Sequence, residues 1–279
     1  MNRERYRRWY FRKLKNYEKT SRSIVKRHLK NTLITFAKSK PTEETIKPLL
    51  NKAVTKKALF SMLVEVYTTV GGNHGDTVLN GINNQTLVVK KRWASLFIES
   101  FAKQVLKFLG VHAPENIKTI RKTLINEVIK YIAERNDQGK SVQVITNEMV
   151  EKFGTKEGLY NWQLERIVRT ETGAAANLAA FQAMDDADLV IDKIWLSADD
   201  SRTRDGDSKN EYNHAVMNGK PAIPHKTLFQ VPNQNGTTQG MMHPMDMERG
   251  SASNVINCRC TTAPVPRRDK RGRLVLKPN

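Results

Sequence analysis

Residues 169 to 198 read RTETGAAANLAAFQAMDDADLVIDKIWLSA, and the fold class turns on where this stretch changes its period. As far as Ala183 it continues a helix that starts near Gly158. Leu159, Trp162, Ile167 and Val168 supply its apolar positions, and a run of small residues then lets a second backbone approach closely. After Asp188 the pattern switches. Residues 190 to 198 are rich in β-formers and alternate in part, which predicts a strand. From there to Pro266 the chain carries Pro and Gly turns, three histidines and two cysteines, with no helical stripe.

Upstream, the helical period dominates. Thr42 to Val70 predicts one helix, which the run GGNHGD at 71 to 76 should break. A second helix is expected from Gln85 to Leu109, with Trp93, Phe97, Phe101, Val105 and Phe108 on one face and Gly110 as its stop. A third runs from Asn116 to Arg135, and Ser141 caps a fourth that reaches Phe153. The expected class is α+β, a mostly helical N-terminal region followed by a small mixed α+β C-terminal domain. The divisions expected are a basic amphipathic arm at 1–40, a helical region at 41–157, the α+β domain at 158–266 and a basic tail at 267–279.

Of the formal net charge of +19, +10 falls on residues 1–30 and +5 on residues 267–279, whereas residues 150–266 carry −3. Cationic ends favour a polyanion, because neutralised phosphates release condensed counterions. Arg3, Arg5, Arg7, Arg8, Arg12 and Lys13 are the expected phosphate contacts of the first end, and Arg267, Arg268, Lys270, Arg271 and Arg273 those of the tail. The first arm also carries an apolar stripe at Tyr10, Leu14, Tyr17, Ile24 and Leu29, which suits docking on a partner protein, with Trp9 and Phe11 helping, or on a membrane surface. The alternative is a merely solvated helix. The tail reads as a flexible tether. No stretch is long and apolar enough to span a membrane, and MNRERYRRWYFRK lacks the apolar core of a secretory signal. Binding to double-stranded DNA should be nonspecific, since no base-reading motif is present.

Several groups in the last third invite chemistry. Asp199, Asp200, Asp205 and Asp207 could hold a hard cation, giving a metal-dependent nuclease that uses Asp199, Asp200, Glu211 and His214. The interleaved Arg202 and Arg204 favour instead a salt-bridged turn. If residues 257–262 are extended, Cys258 and Cys260 face one way, and with His214 and His243 they could complete a zinc shell within a nucleic-acid-binding module. Structural zinc sites usually space their cysteines more widely, and buried reduced thiols are the alternative. No cofactor is otherwise expected.

The order of these pieces carries a resemblance. A helix with Arg169, Thr170, Glu171 and Asn177 leads to a strand with Lys193 and Trp195. The turn Asp200, Arg202, Arg204 follows, then His214 with Asn218 and Gly219, a segment with Phe229, and finally GSASNVINCRC, ending Asn257-Cys258-Arg259-Cys260. Over residues 159–264 this resembles the phage head morphogenesis family, the minor head proteins similar to phage Mu protein F. Here the insertion DGDSKNEYN separates the turn from His214. The resemblance implies a low-copy structural virion component inside the head near the portal vertex. It would contact the portal or major capsid protein and the packaged DNA, act in assembly, packaging or DNA delivery, and have no enzyme activity.

Overall fold

The small-residue run does admit a second backbone. In the computed structural model, which describes residues 3–84, 93–155, 162–201, 203–206 and 212–278, helix α7 (Trp162–Asp186) has Ala175, Ala176, Ala179, Ala180 and Ala183 all buried. Helix α4 (Gly72–Asn83), with a π-turn at Tyr67–Gly71 ahead of it, lies against this face. A Cβ on Gly71 would stand 3.1 Å from the Ala175 carbonyl and 2.4 Å from Phe101; one on Gly75 would stand 3.1 Å from the Ala179 carbonyl and 2.2 Å from Phe97. The four-residue spacing of the glycines matches that of the alanines and of the two stacked phenylalanines. This corrects the expectation that GGNHGD breaks the helix. The glycines are what allow α4 to approach, and the packing outweighs their poor helix propensity.

Before that element, the expected single helix is divided into α2 (Ile46–Ala53) and α3 (Lys56–Val66). The expected second and third helices, in contrast, are one, α5 (Trp93–Asn136), running through Gly110 and Pro114. Phe97, Phe101, Val105, Leu109, Ala113, Ile117, Ile120, Leu124 and Val128 are all buried, so the apolar stripe crosses the expected break without interruption. That burial offsets the roughly 3 kcal/mol a helical proline costs. Helix α6 (Val142–Glu151) is capped as expected, Ser141 Oγ accepting from Val144 N. Leu159, Arg202, Glu211 and the side chains of Trp93 and Trp162 lie outside the described residues.

Two compact units interleave along the chain: Met1–Glu18, Tyr67–Val105 and Arg169–Asn279 form one, Lys19–Val66 and Leu106–Val168 the other. The second is helical. Within it Arg22 makes a two-pronged ion pair with Glu165 at 2.7 and 2.9 Å, and Arg121 donates to the Val54 carbonyl at the end of α2.

The first unit holds the β-structure, as the α+β expectation requires. Strand β1 (Ile191–Leu196) is central to an antiparallel sheet, flanked by β2 (Ile223–Pro224) and by β5 (Thr261–Pro266), with Ile191 opposite Pro266 and Leu196 opposite Thr261. A separate hairpin pairs β3 (Phe229–Pro232) with β4 (Thr238–Met241). Both faces of β1 are covered. Ile194 and Leu196 pack with Ala263 and Tyr6, while Trp195 meets Phe229 edge-on.

The expected arm is helix α1 (Arg3–Lys38), and its stripe is not left for a partner or a membrane. Tyr10, Leu14, Tyr17, Ile24 and Leu29 are buried within the chain, and Trp9 stacks on His74. His74 is enclosed by Trp9, Tyr10 and Tyr17 rings, and burial lowers its pKa to about 3. The tail is likewise no tether. Arg267 N donates to Val190 O, Val190 N to Val275 O and Lys277 N to Asp188 O, while Lys277 Nζ caps the last carbonyls of α7 at Met184 and Asp185. The segment needs no apolar face of its own because it borrows backbone partners from the chain entering β1.

Replacing Gly75 by Ala should destabilise the protein by about 1–3 kcal/mol, as overpacking does, although helix propensity alone would favour the change by about 1 kcal/mol. Urea unfolding measures the sign.

Candidate functional site

Thr170, Asn177, Asp200, Arg204 and His214, all among the residues that carry the resemblance, come from separate elements and meet around the segment ahead of β5. Asn177, fully buried on α7, donates from Nδ2 to the carbonyls of Gly173 and Cys260, both at 3.0 Å, and accepts from Thr262 N at 3.1 Å. One turn back, Thr170 Oγ1 accepts from Asn257 N at 2.9 Å. The helix thereby fixes the backbone on both sides of Cys258 and Cys260. Asn257 has the left-handed φ of 57° that Asn tolerates, and it turns the chain from α8 (Ala252–Val255) into this extended run. The two cysteines precede β5 and do not form part of it, so the strand that closes the domain starts one residue later than the CRC motif.

The other wall is the turn after β1. Arg204 donates through Nη2 to the Ile256 carbonyl at 2.8 Å, while its own carbonyl accepts from His214 N and Ala215 N at 2.8 and 3.0 Å. Asp200 is ion-paired with Arg259. Asn218, within the 3₁₀ turn Ala215–Gly219, accepts from Ser197 N and donates to Ser197 Oγ, tying His214's loop to the end of β1. Trp195 meets the His214 ring edge-on at 5.5 Å.

At the centre, His214 Nδ1 lies 3.5 Å from Cys258 Sγ and 3.5 Å from Cys260 Sγ. All three side chains are buried. Their donor atoms fall within 4.8 Å of one another, the geometry a metal ligand set requires. The two thiols differ in character. The Cys258 pKa is lowered well below the ordinary range, first by the hydrogen bond from Cys260 and then by His214 and Arg204; burial and the Cys258 charge raise that of Cys260. A narrow cleft beside the cluster is lined by Ala198, Thr203, Arg204, Asn257 and Arg259.

His243 is not part of this cluster. It is buried beside Phe181, its Nδ1 2.9 Å from the Pro244 carbonyl, so the four-ligand shell that included it is corrected to three residues. Of the nuclease acids among the described residues, Asp199 pairs with Arg7 and Asp200 with Arg259, so these charges are neutralised by arginines from outside the turn, while Arg204 donates to the Ile256 carbonyl. Glu171 accepts from Tyr67 Oη at 3.1 Å, and burial raises its pKa to about 7. Arg169 lies near Arg259, whose pKa it helps to lower after burial.

Sequence reasoning gave Lys193 no chemical part. It shares a β1 face with Ile191 and Trp195, fully buried, with Nζ 2.6 Å from the Met242 carbonyl and the Phe181 and Phe229 rings close by; burial lowers its pKa to about 7. Its inward position in the alternation of β1 was the available signal.

Of the expected phosphate contacts, several are engaged within the chain. Arg3 donates to the carbonyls of Asn218 and Lys220, Arg7 pairs with Glu4 and Asp199, Arg267 with Asp192, Arg273 with Asp269, and Arg268 donates to Gly272 O. Arg5, Arg8, Arg12, Lys270 and Arg271 are exposed, and Lys13 is half-buried. Arg8 and Arg12 line a shallow groove with Phe11 and Lys15. Comparison of the chain with known protein families, with curated proteins and with solved structures finds no match.

Two outcomes check this geometry. Asn177→Ala leaves the Cys260 carbonyl and the Thr262 amide without their buried partner, and should cost about 3 kcal/mol in chemical denaturation. Glu171 is protonated in the folded chain at pH values where the unfolded chain has already lost the proton, so stability falls as pH rises from about 4.5 to about 7. Glu171→Gln should remove that slope, gaining up to about 3 kcal/mol above pH 7 and little at pH 4. Thermal unfolding across that range reads it.

Proposed function

We propose that this chain is a minor head protein of a phage particle, a low-copy structural component that contacts the portal or major capsid protein and the packaged DNA. The observation that carries the reading is the convergence of the resemblance residues. Thr170, Asn177, Asp200, Arg204, His214 and the Asn257–Cys260 run are spread over ninety-one positions, yet they bind one another or the backbone of the same segment, and Asn218 ties the loop of His214 to Ser197 at the end of β1. A chance succession of short motifs gives no reason for such mutual contact. Their bonds brace the domain from within, which supports a structural part in the particle.

The DNA contact rests on charge. Arg5, Arg8 and Arg12 on α1, and Lys270 and Arg271 in the tail, are exposed cations through which phosphate would be met, Arg8 while also lying near Glu4. The other arginines of both ends brace the fold and contribute to the field without being spent on contacts.

Sedimentation of lysates from particle-producing cells tests the assignment: the chain should travel with genome-filled heads and resist protease until the heads are opened. A chain confined to the soluble fraction contradicts it. With purified protein and duplex DNA, the affinity should fall linearly with salt on logarithmic axes, independently of sequence. Arg12→Ala should reduce that slope by about 1. A slope that does not change, or changes only for one DNA sequence, removes Arg12 from the interface.

A further inference from the structure

We propose that His214, Cys258 and Cys260 form a three-ligand site for a thiophilic divalent cation of the zinc type, with the fourth position turned to the cleft beside Arg204 and Asn257. The argument starts at a backbone amide. Ser251 N can only donate, and it donates to Gln239 Oε1 at 2.8 Å, so that end of the Gln239 amide is the oxygen. The same oxygen lies 2.9 Å from the side-chain amide of Asn254, which must therefore present its NH₂ there and its Oδ1 on the other side. Asn254 Oδ1 is 3.0 Å from His214 Nε2, so Nε2 carries the proton. In the neutral imidazole, Nδ1 is left with a bare lone pair aimed at the two sulfurs. This is the outer-shell arrangement that fixes a metal-binding histidine's tautomer and ring plane.

Hydrogen bonding alone does not use this geometry well. One lone pair faces two sulfurs at the same 3.5 Å, and it can accept one thiol proton. A cation between the three satisfies all of them. Zinc bonded tetrahedrally at about 2.3 Å to sulfur and about 2.0 Å to nitrogen sets the nitrogen-to-sulfur edge at about 3.5 Å. The charge also closes: two thiolates and a neutral imidazole around a dication make a neutral buried unit, whereas thiolates alone at this depth would be costly. Binding sends the remaining thiol protons to solvent.

The site is built before any ion arrives. Asn177 and Thr170 hold the cysteine backbone to α7, Arg204 clamps the Ile256 carbonyl while its own carbonyl orders the His214 amide, and Trp195 walls the ring. The inference is independent of the DNA and particle assignment, and its test uses neither.

Full-length protein, reduced and stripped with chelator, is titrated with Co²⁺ as the probe and then with Zn²⁺. One Co²⁺ per chain should bind with a thiolate-to-cobalt charge-transfer band and strong tetrahedral d–d absorption, and one equivalent of Zn²⁺ should abolish both. Asn254→Leu, which leaves every ligand in place, should weaken binding by about 10–100-fold, whereas His243→Gln should leave it unchanged. Cys258→Ser/Cys260→Ser should lose the charge-transfer band entirely. Cobalt bound without that band would overturn the site. So would full affinity in the Asn254 variant, or both cysteines of the wild type alkylating at the same rate with and without excess Zn²⁺. The wild-type spectrum and the alkylation decide the matter even if the cysteine variant does not fold.

Discussion

The buried amide of Asn177 is the contact on which the first unit's arrangement depends. Helix α7 meets other backbone closely only because its residues are small, and small residues offer little side-chain contact to hold what they admit. Asn177 resolves this by spending its hydrogen bonds on main chain: the carbonyl of Cys260, the amide of Thr262 and its own helix at Gly173. With the Thr170 bond to Asn257 it fixes a six-residue stretch at both ends. β5 is thereby docked in register beside β1, and both sulfurs are brought to His214. On the other flank of α7, Gly71 and Gly75 let α4 approach the Ala175 and Ala179 carbonyls. The helix is thus a two-sided platform whose alanines set distance and whose polar residues set register.

That division of labour explains why the acidic turn and the arginines near it read ambiguously. Opposite charges at 199 to 204 suit an ion site and, better, mutual neutralisation within the turn. The pairing of Asp200 with Arg259 and of Asp199 with Arg7 directs those charges to holding the turn. His214 and the two thiols, by contrast, face each other in a buried cluster, apart from the paired carboxylates. At the chain's ends, too, several arginines brace carbonyls and carboxylates.

Much of this was legible. The switch from helical to alternating period near Asp188, a strand within residues 190–198, the Ser141 cap and the closeness permitted by the alanines all follow from local rules. So does the common face of Cys258 and Cys260. What local rules missed has one cause: the decisive partner lies far away in sequence. Glycines in GGNHGD read as breakers until the alanines and phenylalanines that receive them are known. Pro114 reads as a stop until the stripe of α5 is seen to stay buried across it. The tail has no core of its own and reads as loose, but its order comes from backbone groups at Asp188 and Val190. His214 and His243 are both expected partners for the cysteines, and only the fold separates them. Asn254 and Gln239, which orient that histidine, carry no spacing signal at all.

Native-state hydrogen exchange, followed amide by amide in increasing denaturant, tests the platform most directly. The amides of Thr262 and Asn257, whose acceptors are side chains of α7, should exchange only on global unfolding, with the same free energy as the most protected amides of α7 itself. If these two exchange by a local opening while α7 stays protected, the cysteine segment is not held by Asn177 and Thr170, and the account of the site built on them fails.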